Sequence, residues 1–243
     1  MATREWDAHT YDRLPLPHVQ WGRRVLDQLH LSGHERVLDA GCGTGRDAAA
    51  LLERWPGVRV VGIDGSASMI EAARERLGPD VELVVADLTE PLPIAPVDAV
   101  MSVAAFHWIS DHTLLFANLA AAVNPGGRLV SDCGGRGQLA TVDEALVRVT
   151  GRPKQYIHFA GIAETTEALE AGGWHATRVD LRPDPLRLDD PELLERYLAV
   201  VCLGSYLADL PPDEHQSFVH EVASAMPEPV IDYVRLEIEA VRA

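Results

Sequence analysis

Between Glu35 and about Asp132, short apolar β-branched runs alternate with stretches of helical periodicity: ERVLDA, TGRDAAALLERW, VRVVGID, ASMIEAARERL, VELVVAD, VDAVMSV, a further helical stretch and GRLVSD. That order reads as a parallel, doubly wound sheet. Turn signals stand at the joints. Pro56-Gly57 closes one helix, Gly78-Pro79 another, and Asn124-Pro125-Gly126-Gly127 introduces the fifth strand, while the link PLPIAP is too short and stiff for a good helix.

The second half is looser. Glu164 to Ala171 reads as a helix ended by Gly172-Gly173, followed by the strand-like WHATRVDL. With Asp190 as N-cap and Pro191 at the first helical position, a helix is expected to run to Pro211, and a second, DEHQSFVHEVASAM, follows it. The pair reads as a lid over the sheet. In the tail, Val234, Leu236, Ile238 and Ala240 alternate with Arg235, Glu237 and Glu239, which predicts a strand with one solvated side. The 243 residues suit one α/β domain. Its expected parts are an N-terminal helical cap (1–32), a cofactor-binding core (33–185), a helical lid insertion (186–228) and a last strand (229–243).

Charge narrows the partners. With 37 Asp+Glu against 21 Lys+Arg, the formal charge is -16, which argues against a binder of nucleic-acid phosphates and against acidic membrane surfaces. The 3 cysteines form no C-x-x-C pair, which fits a reducing compartment and leaves no zinc site. No apolar run approaches the ~18 residues of a membrane span, and the N-terminus has no signal-like apolar stretch. A cytoplasmic monomer or homodimer acting on a small molecule is expected, with no bound metal.

The chemistry concentrates at VLDAGCGTGR, Val37 to Arg46, a buried strand running into a glycine-rich turn that opens a helix. Gly41, Gly43 and Gly45 let the backbone turn sharply and approach a ligand. A dinucleotide fingerprint would need glycine where Arg46 stands, and Asp39 would repel a pyrophosphate. The same carboxylate suits a ligand carrying an ammonium and a sulfonium, as S-adenosylmethionine does. Asp64 ends the second strand roughly 20 residues beyond the turn, where a carboxylate accepts ribose hydroxyls. Asp87 ends the third, where an adenine amine would donate to it, with Leu88 beside it. The alternative for either aspartate is a helix N-cap.

The fourth strand runs into AAFHWISDH. Phe106 and Trp108 would wall the pocket or else fill the core. His107 is the candidate general base, since an unperturbed imidazole titrates near ~6.5; a supporting or merely exposed histidine is the alternative. His107 and His112 match no metal-ligand spacing.

Taken in order, VLDAGCGTGR, VVGID, VVADL, the HWISDH turn and NPGGRLV resemble the class I S-adenosylmethionine-dependent methyltransferases. The N-terminal WDAHTYD, AFHWISDH and the late DYVRLEIEAVR are similar to the trans-aconitate methyltransferase branch. The resemblance implies a Rossmann-like, doubly wound sheet of seven mostly parallel strands with an antiparallel last strand, plus a helical lid. It also places the cofactor across Asp39, Gly41, Asp64 and Asp87, and Tyr11 over the active site unless that ring merely packs a helix. The full candidate cofactor set adds Cys42, Gly43, Gly45, Gly65, Ser66, Met69, Leu88 and Val103. A tricarboxylate would need several cations, for which Arg13, Arg23, Arg24, Arg136 and Arg152 are candidates. Two other readings stand beside this one: a protein that keeps the cofactor without methylating, as a cyclase or binding partner, and a nicotinamide-dependent oxidoreductase.

Overall fold

In the computed structural model, which describes residues 18–152 and 157–243, the chain enters through α1 (His18–Leu29), whose Trp21, Val25, Leu26 and Leu29 are buried. Strand and helix then alternate through β1 (Arg36–Ala40), α2 (Arg46–Arg54), β2 (Arg59–Asp64), α3 (Ala67–Leu77), β3 (Glu82–Val85) and β4 (Val97–Val103). A 3-10 turn (Phe106–Trp108), α4 (His112–Ala121) and β5 (Val123–Gly134) follow. The second half holds α5 (Ala140–Thr150), α6 (Ile162–Ala171), β6 (Trp174–Pro183) and β7 (Leu186–Arg187). After these come α7 (Pro191–Tyr197), a π turn (Leu198–Cys202), α8 (Gly204–Leu207), α9 (His215–Ala225), β8 (Val230–Ile231) and β9 (Val234–Arg242).

The 7-stranded sheet has the order β3-β2-β1-β4-β5-β9-β6. Every pairing is parallel except those of β9, which runs antiparallel to both β5 and β6. This is the expected architecture. The order reverses between β1 and β4, so the crevice for a ligand opens beyond the carboxyl ends of those strands. One face of the sheet is covered by α1, α2, α5 and the insertion between β7 and β8; α4 and α6 cover the other. β7 and β8 form a short antiparallel ribbon that closes the base of the insertion. No helix among the described residues is long and apolar enough to cross a membrane.

Several local expectations hold and others do not. Asp190 Oδ1 accepts from the N–H groups of Glu192 (2.9 Å) and Leu193 (3.3 Å), the N-cap that starts α7 at Pro191. The helix does not continue unbroken to Pro211. It yields to a π turn closed by Leu203 N–H on Leu198 O (2.8 Å), where adjacent β-branched Val200 and Val201 and then Gly204 weaken helical packing. Residues 140–150, for which no element was expected, form α5.

The largest correction concerns the tail. Arg235 is 1% exposed and Glu237 5%, so β9 has no solvated side there. An interior strand covered on both faces must bury its polar residues, and these are matched. Arg235 donates to Asp132 Oδ1 (2.7 Å), the Asp132 carbonyl (3.1 Å) and Gln138 Oε1 (3.1 Å), and its guanidinium lies 3.6 Å over the ring of Trp21. Glu237 accepts from Arg178 (2.7 Å) and Arg182 (2.6 Å).

Breaking such a pair from one side strands a buried charge, which costs about 3–5 kcal/mol. Asp132→Ala is therefore expected to lower stability by that amount, seen as a fall in the urea midpoint. A loss below about 1 kcal/mol would show that Trp21 and Gln138 hold the guanidinium without the carboxylate.

Candidate active site

β1 delivers Asp39 and Ala40 to the glycine turn at the carboxyl edge. Gly41 and Cys42 both donate to the carbonyl of Ile63 (2.8 and 2.9 Å), tying the turn to β2. Gly41, Gly43 and Gly45 all have left-handed φ, +79°, +53° and +76°. At Gly41 a Cβ would collide with Ala105, and at Gly45 with Leu77, whereas at Gly43 it would meet nothing within 4 Å. The Gly43 backbone thus faces open space, a cradle that a side chain would fill. Cys42 is buried, and burial pushes its thiol well above the usual range, which makes it packing rather than chemistry.

Carboxylates crowd around this turn. Asp39 is 1% exposed, and its Oδ2 has no hydrogen-bond partner among the described residues. Burial, then the charges of Asp47 and Asp64, hold its carboxyl well above the usual range. Asp47, itself raised by burial, pairs with Arg46 at 3.2 Å. Asp64 accepts from the N–H groups of Gly43 and Ser66, both at 2.9 Å, bracing the turn across Gly65. Ser66, not Asp64, caps α3, taking the N–H of the buried Met69 (3.3 Å). Asp87 lies two residues past the end of β3, and its Oδ1 takes both Thr89 N–H (2.8 Å) and Thr89 Oγ1 (2.7 Å), next to buried Leu88. An orphaned buried carboxylate, an open glycine cradle and two further acidic strand ends fit a cationic nucleoside. They fit a pyrophosphate poorly.

Across the crevice β4 ends at Val103, and Ala104 adopts φ +56°, a strained value for a non-glycine residue, with its N–H on the Asp132 carbonyl (2.8 Å). Phe106 corrects its expected role as a pocket wall. It is 0% exposed and packs edge-on against Phe116 with centroids 5.9 Å apart, so it belongs to the core. His107 is 7% exposed, its Nδ1 accepts from Gly134 N–H (3.2 Å), and its carbonyl accepts from His158 N–H (2.9 Å). Trp108 is half-buried beside the imidazole, at 5.2 Å.

Tyr11 and Arg13 lie outside the described residues. Arg24 and Arg136 are engaged by Asp184 (3.3 Å) and Glu164 (3.1 Å). Sequence reasoning missed His18, Gln138 and Phe159. His18 is buried, and burial, then the charges of Arg46, Arg235 and His107, keep its imidazole well below the usual range, which puts it in this same neighbourhood. None of the three carries a local signal, because they come from an N-terminal helix and from two connections without a motif.

Residues 37–127 match a family model described as a methyltransferase domain. A trans-aconitate 2-methyltransferase of Azoarcus sp. (strain BH72) is 33% identical over 88% of this chain and 86% of its own length. Among solved structures, the YcgJ protein from Bacillus has a TM-score of 0.65 at 17% identity, covering 93% of this chain and 99% of that one. The cyclase SpnF has a TM-score of 0.61 at 18% identity, covering 92% and 80%. These two likenesses are of fold, and since one is to a cyclase, architecture alone leaves the reaction open.

A cation placed beside Asp39 favours its charged form, so cofactor binding expels a proton wherever the unliganded carboxyl is neutral. Affinity for S-adenosylmethionine is therefore expected to rise with pH through that raised range and level off above it. Asp39→Asn is expected to weaken binding by about 1.5–3 kcal/mol and flatten this dependence. It should also stabilise the unliganded protein, because a buried carboxyl whose folded value is raised loses stability as pH climbs from ~3.8 towards that value. Calorimetric titration and unfolding across about pH 5 to 8 check all three, and an unchanged affinity and slope would return Asp39 to a packing role. Gly43→Val is expected to fold and yet lose cofactor binding; binding within a factor of about three of the parent would move the cofactor off the glycine turn.

Proposed function

The chain belongs to the S-adenosylmethionine-dependent methyltransferases, in the trans-aconitate methyltransferase branch, and from that membership we propose that it methylates a carboxylate oxygen of a small organic acid. The observation that carries this reading is the hydrogen bond from Gly134 N–H to His107 Nδ1. A neutral imidazole that accepts at Nδ1 keeps its hydrogen on Nε2, so the ring offers a donor and not a base. A hydroxyl nucleophile would need a base. A carboxylate is already ionised and needs only to be held. Arg46 and Arg235 lie, with His107, close enough to the neutral His18 to act on its imidazole, and positive charge there, opposite in sign to the chain's total of -16, suits an anionic acceptor.

Bound S-adenosylmethionine supplies a methyl group already activated on a sulfonium. What the chain adds is placement: Asp39 and the Gly41–Gly45 backbone for the cationic end, Asp64 and Asp87 for the nucleoside, and His107 Nε2–H with Trp108 for the acceptor. Holding the reacting pair about 3–3.5 Å apart supplies on the order of 7–11 kcal/mol. The insertion between β7 and β8, whose Leu194, Tyr197, Leu198 and Val222 pack in one core with Trp21 and Leu146, acts with α1 as the lid. A core of 33–185 and a last strand of 229–243 complete this division.

Labelled S-adenosylmethionine, offered with trans-aconitate, other small acids, phenols and amines, is expected to yield a base-labile methyl ester and S-adenosylhomocysteine. Product from phenols or amines alone, or none from any acceptor, overturns the reading. With the substrate found, His107→Ala is expected to raise KM about tenfold or more, with kcat within a few-fold of the parent. A kcat loss of about 10²–10⁴ at constant KM would mark a general base instead.

A further inference from the structure

Gln138 stands in the turn between β5 and α5 and is 4% exposed. Its Oε1 accepts from Arg235 Nη1 (3.1 Å), and because a guanidinium only donates, that bond decides which end of the carboxamide is which. Nε2 therefore points the other way, against Gly134, where a Cβ would overlap it. Among the described residues Nε2 has no acceptor. The N–H of an otherwise buried carboxamide that no protein acceptor takes is available to a ligand oxygen.

Gly134 is also where two other side chains arrive. Its N–H is spent on His107 Nδ1, and Phe159 Cε1 would lie 2.8 Å from a Cβ at this position. The rings of Phe159 and His107 are 6.0 Å apart, tilted by 31°. Three segments distant in sequence thus place the Gln138 donor, an imidazole and one apolar ring around a residue that has no side chain to keep them apart. The carboxamide N–H is uncharged and is no base, a donor that orients an ionised oxygen acceptor and gives nothing to a hydroxyl proton.

We propose that Gln138 is a substrate-binding residue, its Nε2–H holding one carboxylate of the acceptor beside the His107 ring, while Arg235 and Asp132 are positioning residues that fix the carboxamide. The assignment rests on the reading of the acceptor as a carboxylate. A carboxylate that takes this donor on one oxygen keeps lone pairs free on the oxygen that attacks.

The test uses the full chain loaded with S-adenosylhomocysteine, with trans-aconitate and a panel of small mono- and dicarboxylates as probes in calorimetric titration. Gln138→Glu keeps an acceptor for Arg235 at the same size and replaces the N–H donor with oxygen. It is expected to weaken carboxylate binding about ten- to a hundredfold and to leave the affinity for S-adenosylhomocysteine unchanged. Gln138→Leu, with no buried charge to disturb folding, is expected to act alike, and Arg235→Lys to raise the same Kd without touching that of the cofactor. Parental carboxylate affinity in both Gln138 variants overturns the proposal, as does a wild type that binds none of the panel. Should the wild type bind carboxylates through Gln138 and form no ester from S-adenosylmethionine, the reaction falls and the binding assignment stands. Ester formation with an unchanged KM in both variants does the opposite: the reaction stands and Gln138 loses its role.

Discussion

Taking the guanidinium of Arg235 out of water is penalised by several kcal/mol unless its charge is matched, and the match draws together parts of the chain that have no other reason to meet. Asp132 supplies the counter-charge from the end of β5, Trp21 supplies a π face from α1, and Gln138 supplies a carbonyl from the turn after β5. Trp21 in turn donates to Asp184 just past β6 (2.6 Å) and packs edge-on against Tyr233, whose hydroxyl meets that of Tyr197 in the insertion (2.7 Å). The Asp132 carbonyl takes both Arg235 and the N–H of the strained Ala104, so the exit of β4 hangs from the same residue. The antiparallel insertion of β9 between β5 and β6 is what brings Arg235 to this end of β5, opposite Gly134.

The two sides of the crevice carry opposite electrostatics. Around the glycine turn Asp47 and Asp64 raise the cost of ionising Asp39, which keeps an oxygen without a partner among the described residues. On the His107 side, Gly134 N–H donates to the imidazole, and the cation is Arg235, matched by Asp132. On the proposed reading a sulfonium rests on the acidic side and a carboxylate on the other, and transfer of the methyl group cancels both charges. Each side then holds its product less firmly than its reactant, which assists departure, while the rate rests on placement of the reacting pair.

Much of this molecule was legible before any coordinates. Strands buried on both faces appear as unbroken apolar runs, so β1 to β5 and their crossover helices could be placed, and with them the edge on which Asp39, Asp64 and Asp87 gather. Positive φ at a strand-to-helix turn leaves a glycine signature, so Gly41, Gly43 and Gly45 were visible too. The Asp190 N-cap was equally local. These features share one property: each is determined within a few residues by backbone sterics, by periodicity or by a short-range hydrogen bond.

What the sequence could not determine depends on which distant groups become neighbours. The alternation in β9 is the same whether its polar side meets water or another layer, and only its place between β5 and β6 buried Arg235 and Glu237. Phe106 reads equally well as a pocket wall or as core until Phe116 is found against it. The hydrogen on His107 was undetermined in the same way, because it depends on the N–H of Gly134, 27 residues away along the chain. Local sequence sets the conformations a segment can adopt, whereas burial, protonation and hydrogen-bond direction are pairwise properties that exist only after packing has chosen the partner.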